Sequence, residues 1–243
     1  MTRKRVVIVT GASRGLGREI ALCFGRAGER VVVNFLSNER TAKAVADEIS
    51  QNGGESATCR ADVKDPVEVD AMTRDTVERW GAVDVLINNA ALTKDGITLR
   101  MTEQDWDDVV DTNLSGPFHC IRAAAHHMTK KRNGHIINIS SIVGLQGRQG
   151  QANYSSAKAG LIGLTKASAM ELGSFNVKVN VVLPGYLPTD MGSNISDVVH
   201  DRILKENSLG KASDPREVAN FIYHLSLMNN VSGQVFNLDS RIV

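Results

Sequence analysis

The sequence predicts an α/β protein in which helices cover both faces of a parallel sheet. Along its 243 residues, short runs of β-branched residues alternate with longer segments of helical period. The runs VVIVT, VVVNF, VLINN and HIINIS are apolar almost throughout, as is typical of strands that are buried on both sides. This alternation predicts a doubly wound fold of about seven strands.

Each element is assigned from the period of its apolar residues. In the first half, strands are expected at 5–10, 30–35, 56–61 and 83–88, with helices at 14–27, 39–51 and 66–80. The second half continues with a long helix at 102–130, a strand at 135–140, a helix at 152–173, a strand at 178–183, a helix at 215–228 and a last strand at 234–238.

We expect one domain over 1–243, because the sequence contains no internal repeat, low-complexity tract or Pro/Ser-rich linker. A polar stretch at 187–210, rich in Ser and Asn, interrupts the alternation after the sixth strand. Ligands of open α/β sheets bind beyond the carboxyl ends of the strands. The stretch is therefore predicted to be a lid over a substrate.

Composition excludes several classes of function. The 28 basic and 27 acidic residues give a net charge of +1, which lacks the strong positive field of unspecific nucleic-acid binding. No apolar run approaches the roughly 18 residues of a membrane span, and the N-terminus turns polar too early for a signal peptide. Neither nucleic acid nor a membrane is expected as a partner.

Cysteine and histidine spacing predicts no metal site. Cys23, Cys59 and Cys120 are odd in number, widely separated and without a CxxC pair, so neither a disulfide framework nor a thiolate site is indicated. His126 and His127 are adjacent and point to different faces of a helix. Unpaired cysteines are typical of a reducing compartment, and we expect a cytoplasmic protein.

The segment TGASRGLG at 10–17 is the first chemical signal. It follows an apolar strand and opens a helix, where glycines let the backbone approach a ligand and free N–H groups can bind phosphate. A tight turn that uses glycine only for its geometry is the alternative. The βαβ context favours a dinucleotide site.

The end of the second strand indicates which dinucleotide is bound. NAD-binding folds usually carry an acidic residue there, but VNFLSN at 33–38 has none. Asn34 and Ser37 can donate hydrogen bonds to a 2′-phosphate, and Arg14 supplies positive charge. NADP(H) is therefore favoured, although Arg14 could also be a solvated residue at the start of a helix.

The second signal is YSSAK at 154–158, with Ser141 thirteen residues earlier. Tyr154 and Lys158 are four apart in a predicted helix and should share one face. A nearby ammonium favours the phenolate, so we expect Lys158 to lower the pKa of Tyr154. Tyr154 could then exchange a proton with a carbonyl oxygen to which Ser141 donates a hydrogen bond. An exposed Tyr–Lys pair is the alternative.

With these motifs the whole chain resembles the short-chain dehydrogenase/reductase family, of the subgroup with TGxxxGxG, NNAx and YxxxK. The resemblance implies a Rossmann-like fold and a homotetramer. Within the family the chain is most similar to the 3-oxoacyl-(acyl-carrier-protein) reductases of fatty-acid synthesis, through NISSIVG at 138–144, GQANYSSAKAGLIGLTK at 150–166 and VNVVLPGYLPTDM at 179–191.

The resemblance also implies residue roles. Tyr154 would be the acid/base, Lys158 would lower its pKa and hold the nicotinamide ribose, Ser141 would orient the carbonyl, and Asn113 would hold a water of a proton relay. For the pyrophosphate and adenosine side, the implied contacts are Gly11, Ser13, Arg14, Gly15, Leu16 and Gly17. The adenine would contact Asp62 and Val63, and the ribose would contact Asn89 and Ala90. The implied contacts of the nicotinamide are Pro184, Gly185, Leu187 and Thr189. From sequence alone, Asp62 could equally be a turn residue.

Three positions depart from the family pattern. Ala91 replaces the glycine of NNAG, and Asp239-Ser240-Arg241 stands where the family has DGG, in a region implied to lie near the subunit interface. Lys130, Lys131 and Arg132 could dock an acidic carrier protein, and Arg132 matches one docking arginine. Phe175 takes the place of the second. A solvated helix end is the alternative for this cluster.

The sequence therefore predicts an enzyme, an NADPH-dependent reductase of 3-oxoacyl thioesters that delivers hydride to C3 and a proton from Tyr154. Reduction of another ketone, a quinone or a sugar-like carbonyl stays open, because 187–210 reveals no specificity. A protein that binds NADP(H) as a regulator without turnover is the alternative from another class. It has no chemical reason to contain Asn113, Ser141, Tyr154 and Lys158 together.

Overall fold

A parallel sheet of seven strands forms the centre of the computed structural model, which describes residues 3–187 and 197–241. The strand order is β3-β2-β1-β4-β5-β6-β7, and all six neighbouring pairs run parallel. The strands are β1 (Val6–Val9), β2 (Arg30–Phe35), β3 (Glu55–Arg60), β4 (Val85–Asn88), β5 (Gly134–Ile139), β6 (Val177–Leu183) and β7 (Val235–Asn237). The predicted fold class is confirmed.

Helices connect the strands and cover the sheet on both faces. They are α1 (Gly15–Arg26), α2 (Glu39–Gln51), α3 (Pro66–Trp80), α4 (Glu103–Val110), α5 (Gly116–Lys131), α6 (Val143–Gln146), α7 (Ala152–Gly173), α8 (Asp197–Glu206) and α9 (Pro215–Leu225). A 3₁₀ turn spans Thr98–Arg100, and a π-helical turn spans Asp111–Ser115.

Successive residues of each strand enter opposite hydrophobic layers. Val7 and Val9 of β1 pack in the layer beneath α1, α2 and α9, whereas Ile8 packs in the layer beneath α3, α5 and α7. This alternation follows from the pleat of a strand. Because both layers are apolar, the strands need an almost continuous apolar sequence, which is the signal that predicted them.

The order of the strands places a crevice at the carboxyl end of β1. The chain runs from β1 outward to β2 and β3 on one side, then returns to lay β4 on the other side of β1. In doubly wound sheets such a reversal separates the connections above the sheet and leaves room for a ligand. TGASRGLG at 10–17 and NNAA at 88–91 both lie there, directly after β1 and at the end of β4.

The predicted long helix at 102–130 is wrong in its middle. A π turn at Asp111–Ser115 separates α4 from α5, and the N–H of Gly116 donates to the carbonyl of Asp111. Pro117 lies in the first turn of α5 and has no N–H with which to continue an α-helical ladder. The apolar period passes through such a turn, so periodicity alone could not detect it.

The stretch at 187–210 also differs from its description as a polar insertion. Its second half contains α8, Asp197–Glu206, which the sequence analysis did not predict. Residues 188–196 lie outside the described part of the chain. Helix α8 is short and mostly polar, and it directly follows a run rich in Ser and Asn, so the sequence analysis took the whole stretch for a loop.

Three further observations concern thiols, metal ligands and membrane spans. Cys23, Cys59 and Cys120 are free thiols. Within residues 3–187 and 197–241, no His, Cys, Asp and Glu side chains group as a metal site. Over the same residues, none of the helices combines the length and apolarity that crossing a bilayer requires.

Two glycine substitutions test the packing of the crevice. At Gly17 an added Cβ would lie 2.5 Å from Asn89 Nδ2 and closer still to the carbonyl oxygen of Gly11. We expect Gly17→Ala to destabilise the protein by about 1–3 kcal/mol, because backbone at this contact must move. Urea unfolding measures the change.

Gly163→Ala is the matched control, because Gly163 lies within α7 and an added Cβ meets nothing within 4 Å. We expect it to stabilise the protein by up to about 1 kcal/mol, the usual gain in a helix interior. Equal effects of the two substitutions would contradict the crowding at Gly17.

Candidate active site

Glycines shape the loop between β1 and α1. Gly11 and Gly15 have φ angles of +61° and +55°, a region that glycine enters without strain. Gly17 lies against the Gly11 carbonyl, so the loop folds back onto the first turn of α1. Ser13 is half-buried and Arg14 is exposed.

The start of α1 suits an anionic group. Arg14 is the N-cap in an extended conformation, its side chain makes no capping hydrogen bond, and the first turn contains no acidic residue. The first N–H groups of a helix have no partner within the helix and attract phosphate. Leu16 is buried in the core, so its contact with a nucleotide would be made by its backbone.

A threonine and an asparagine join this loop to the segment after β4. The hydroxyl of Thr10 accepts hydrogen bonds from the backbone N–H groups of Asn89 (2.9 Å) and Ala90 (3.0 Å). The side-chain amide of Asn89 donates to the carbonyls of Thr10 (2.9 Å) and Gly11 (3.2 Å). The sequence analysis included Thr10 in the glycine-rich segment but gave it no role of its own; its signal is a polar residue that ends an apolar strand.

The expectation that Asn34 donates to a 2′-phosphate is wrong. Asn34 is 2% exposed, and its amide nitrogen donates to the carbonyls of Cys59 (3.3 Å) and Ala61 (3.0 Å). Its oxygen accepts from the N–H of Gly11 at 3.1 Å. Because both amide hydrogens are used, Asn34 supports the glycine loop from below, while Ser37 lies exposed beyond β2.

Asp62 and Val63 lie just beyond β3, at the same edge of the sheet. The carboxylate of Asp62 accepts from the N–H of Lys64 at 2.9 Å, and the N–H of Asp62 donates to Glu68 at 2.7 Å. Asp62 thus stabilises a turn, as its alternative assignment suggests. Val63 is buried and packs against Gly116.

Tyr154 and Lys158 lie together in the first turns of α7, as their spacing predicts. Lys158 Nζ is 5.5 Å from the centre of the Tyr154 ring. The same Nζ donates to the carbonyl oxygen of Ile139, at the end of β5, at 2.7 Å. Ser140 Oγ donates to the Lys158 carbonyl at 2.9 Å. The next residue, Ser141, is half-buried, and its Oγ accepts from the Val143 N–H at 3.4 Å.

Burial controls the ionisation of this pair. It raises the pKa of Tyr154 to about 12, with a smaller contribution from the Asp95 carboxylate, and it lowers the pKa of Lys158 to about 7. The expected lowering of the Tyr154 pKa is therefore wrong in this structure. Both charged forms lose water, and that loss outweighs the attraction between them. Tyr154 stays protonated at neutral pH and is ready to donate.

Asn113 lies at the centre of the π turn and is fully buried. Its amide nitrogen donates to the carbonyls of Leu92 (2.7 Å) and Val109 (2.8 Å), and its oxygen accepts from the Leu92 N–H at 3.1 Å. The side chain is therefore occupied by backbone groups. Its carbonyl lies four residues before Pro117, which has no hydrogen to donate to it.

The segment after β6 closes the other side of the crevice. Pro184 is buried and Gly185 has a φ angle of +82°; a Cβ on Gly185 would overlap the hydroxyl of Ser213. Leu187 packs against the core. Thr189 lies outside the described residues.

A tyrosine and a histidine connect this segment to α8. Tyr186 Oη and His200 Nδ1 are 2.8 Å apart. The sequence analysis missed this contact, because it did not predict the helix that carries His200.

The C-terminal segment Asp239-Ser240-Arg241, in which Ser240 and Arg241 depart from the family pattern, forms a polar anchor. Arg241 pairs with buried Asp239 through Nη2 (2.5 Å) and Nε (2.9 Å). Ser240 Oγ donates to Asn207 Oδ1 at 2.6 Å, and Ser208 Oγ donates to the Ser240 carbonyl at 2.7 Å. This segment therefore fixes the chain just after α8. Ala91 is half-buried beside Ala90.

Comparison with known proteins gives one consistent result. The family described as short chain dehydrogenase matches residues 5–199. A protein of Staphylococcus aureus named 3-oxoacyl-(acyl-carrier-protein) reductase FabG is 44% identical, with 93% of this chain and 92% of that protein covered. Its namesake in Staphylococcus epidermidis is 46% identical over 90% of each chain. A 3-oxoacyl-(acyl-carrier-protein) reductase of Synechocystis is 43% identical over 98% and 97%.

The buried lysine predicts a characteristic pH dependence of stability. Between the folded pKa of about 7 and the usual lysine value of about 10.4, the unfolded chain holds a proton that the folded protein lacks. Wild type should therefore gain up to about 1.4 kcal/mol of stability per pH unit across this window, relative to Lys158→Met.

Denaturant unfolding of both proteins at several pH values from 6 to 9.5 measures the difference. The advantage of the variant should be largest below pH 7, where most of the folded molecules carry the buried charge, and should shrink as pH rises. Lys166→Met, at an exposed position of the same helix, is the control. Parallel curves for wild type and Lys158→Met would show that burial does not disfavour the ammonium.

Proposed function

Because the chain belongs to the short-chain dehydrogenase family, we propose that it is an NADPH-dependent reductase of 3-oxoacyl thioesters in fatty-acid synthesis. The observation that carries this proposal is the pairing of half-buried Tyr154 with buried Lys158, 5.5 Å apart from ring centre to Nζ, at the carboxyl edge of the sheet. Relatives with this activity in their names, 43–46% identical over at least nine-tenths of the chain, support the choice of substrate.

The crevice suits NADP(H). The uncapped, acid-free start of α1 favours the pyrophosphate, and Arg14 and Ser37 favour the 2′-phosphate. Asp62 and Val63 would border the adenine, Asn89, Ala90 and Lys158 the nicotinamide ribose, and Pro184, Gly185, Leu187 and Thr189 the carboxamide. When bound, this nucleotide supplies the hydride that adds to C3 of the substrate.

The protein's own residues supply the proton. Tyr154 is protonated at neutral pH, since burial raises the pKa of its phenol to about 12. It donates that proton to the C3 oxygen as negative charge develops there. Ser141 donates a hydrogen bond to the same oxygen and stabilises the charge. The phenolate that remains is favoured by the Lys158 ammonium beside it.

We place Asn113 in the return of the proton to Tyr154. Its side chain is bound to Leu92 and Val109, so the group able to hold a water is its backbone carbonyl. Pro117 leaves this carbonyl without an α-helical donor, and the π turn packs against α7. A water there would relay a proton towards Lys158.

We further propose that the chain forms one domain whose lid is 187–210. One continuous sheet joins β1 to β7. In the first half of helix α8, His200 forms a hydrogen bond with Tyr186. Directly after the helix, Asn207 accepts a hydrogen bond from Ser240. Both contacts lie at the segments that follow β6 and β7, where the acyl chain would enter.

Docking of an acyl carrier protein is the finer part of the proposal. Lys130, Lys131 and Arg132 are exposed at the end of α5, and positive charge suits an acidic partner. The Arg132 guanidinium donates to the Ser174 carbonyl at 2.9 Å, beside Phe175, which is 40% exposed. The docking surface would therefore combine charge with one apolar side chain.

The proposed enzyme is a cytoplasmic homo-oligomer, with a tetramer as the family expectation. Large apolar side chains on the helices of one face support association: Trp106 is 38% exposed, Phe118 45% and Met170 82%. Their burial against another subunit would remove them from water.

Two alternatives predict different outcomes in the same assay. A reductase of another ketone or a quinone would oxidise NADPH with that substrate and ignore acetoacetyl thioesters. A regulator would bind NADPH tightly without turnover on any carbonyl. Loss of NADPH absorbance with acetoacetyl-CoA and an acetoacetyl carrier protein, compared with a panel of ketones and quinones, separates the three.

Removing the phenol tests the reaction most directly. We expect Tyr154→Phe to lower kcat with an acetoacetyl thioester by about 10²–10⁴, because the C3 oxygen loses its proton donor. Absorbance at the NADPH maximum follows the reaction, and fluorescence titration of NADPH is the control, since binding should persist. Full activity of the variant would remove Tyr154 from the mechanism.

Adding an acid beyond β2 tests the choice of cofactor. Ser37→Asp should weaken NADPH more than NADH, because a carboxylate repels the 2′-phosphate and can accept from a ribose 2′-hydroxyl. We expect the ratio of kcat/KM values, NADPH over NADH, to fall about tenfold or more, the effect of some 1.4 kcal/mol. Ser37→Asn controls for side-chain size. Better use of NADH than NADPH by wild type would contradict the prediction.

A further inference from the structure

Asn153, directly before Tyr154, is fully buried in the first turn of α7. Its amide nitrogen donates to the carbonyl of Lys94 (3.0 Å) and to that of Asp105 (3.0 Å). Its oxygen accepts from the backbone N–H of Tyr154 at 2.8 Å. One side chain thus binds three backbone groups from three different segments.

These segments surround the candidate active site. Lys94 belongs to the loop after β4, Asp105 belongs to α4, and Tyr154 carries the phenol. Lys94 also contacts α4 through its ammonium, which lies 3.0 Å from the Asp105 carboxylate and 2.8 Å from that of Asp108. Those ion pairs are partly exposed and contribute little. The buried amide is the contact that water cannot replace.

Neighbouring residues hold the same loop against the same turn of α7. Gln151 Nε2 donates to the Asp95 carboxylate, 3.1 Å from each oxygen, and the N–H of Gly96 donates to the carbonyl of Gly150 at 2.8 Å. At the start of the loop, the Asn113 side chain accepts from the N–H of Leu92 and donates to the carbonyl of Leu92. The loop from 92 to 96 is therefore fixed at both ends.

We propose that Asn153 is a positioning residue that sets the direction of the Tyr154 phenol. It fixes the backbone of Tyr154 to the loop after β4 and to α4, so the phenol keeps its place relative to the crevice. The catalytic consequence rests on the proposed function. Asn153 itself lies inside the protein and acts only through Tyr154.

The direction of the phenol matters because proton transfer requires a short contact. Donor and acceptor must approach to about 2.6–3.2 Å, and a displacement near 1 Å can cost 10²-fold in rate. Asn153→Ala removes three hydrogen bonds, two of which join α7 to the carbonyls of Lys94 and Asp105. The Tyr154 backbone then loses its connection through Asn153 to the loop and to α4, while the contacts of Gln151 and Gly150 with the loop persist.

Fluorine NMR reads the position of the phenol without any reaction. The chain contains three tyrosines, Tyr154, Tyr186 and Tyr223, so 3-fluorotyrosine labelling gives three resonances, and Tyr154→Phe assigns one. We expect Asn153→Ala to shift or broaden the Tyr154 resonance and to leave the other two in place. An unchanged Tyr154 resonance, or equal changes in all three, overturns the proposal.

Kinetics with a matched control measure the consequence. Asn180 is also a buried asparagine that binds two backbone groups, the Val231 carbonyl (2.9 Å) and the Gln234 N–H (3.1 Å), but it lies on β6 away from Tyr154. We expect Asn153→Ala to lower kcat about 10–100-fold with little change in the KM for NADPH. Asn180→Ala should keep kcat within about twofold. Similar losses of kcat in both overturn the positioning role.

Asn153→Asp tests the donating group of the amide separately from its accepting oxygen. It also serves as a second variant if Asn153→Ala does not fold. Aspartate can still accept from the Tyr154 N–H but cannot donate to the two carbonyls. We expect kcat as low as in Asn153→Ala; wild-type kcat would overturn the proposal. If wild type turns over no 3-oxoacyl thioester, the proposed function fails, and the NMR experiment still decides the role of Asn153.

Discussion

The candidate active site depends on a buried lysine whose ammonium donates to a backbone carbonyl. Lys158 is 2% exposed, and its ammonium meets the carbonyl of Ile139 at 2.7 Å. This contact requires α7 to lie against the end of β5, where Ser140 returns a hydrogen bond to the Lys158 carbonyl. Burial holds the Lys158 pKa near 7 and the Tyr154 pKa near 12. The fold therefore sets the protonation of both groups.

Asparagine side chains, most of them buried, organise the polar edge of the sheet around this pair. Asn34 supports the glycine loop, and Asn89 joins that loop to the segment after β4. Asn113 and Asn153 form hydrogen bonds with the next residues of that segment, in the loop from 92 to 96. Each bridges backbone groups of different elements. An apolar core cannot specify such relative positions, because hydrophobic contacts have no direction.

The strands and most helices could be predicted because burial on two faces leaves a periodic signal. Tyr154 and Lys158 could be paired because helical spacing is local. The role of Asn34 could not be predicted from the sequence, because its partners Cys59 and Ala61 come near it only when β2 pairs with β3. The pKa of Tyr154 was misjudged for the same reason: sequence shows the neighbouring charge but not the loss of water.

Pro117 has a consequence for how the site is made ready. If a carbonyl became free only when the end of a helix frays, a helical hydrogen bond would have to break again in every catalytic cycle, and each break would cost free energy. Here the missing hydrogen belongs to the covalent structure of a ring, so residue 117 cannot donate to the Asn113 carbonyl at any stage of a turnover.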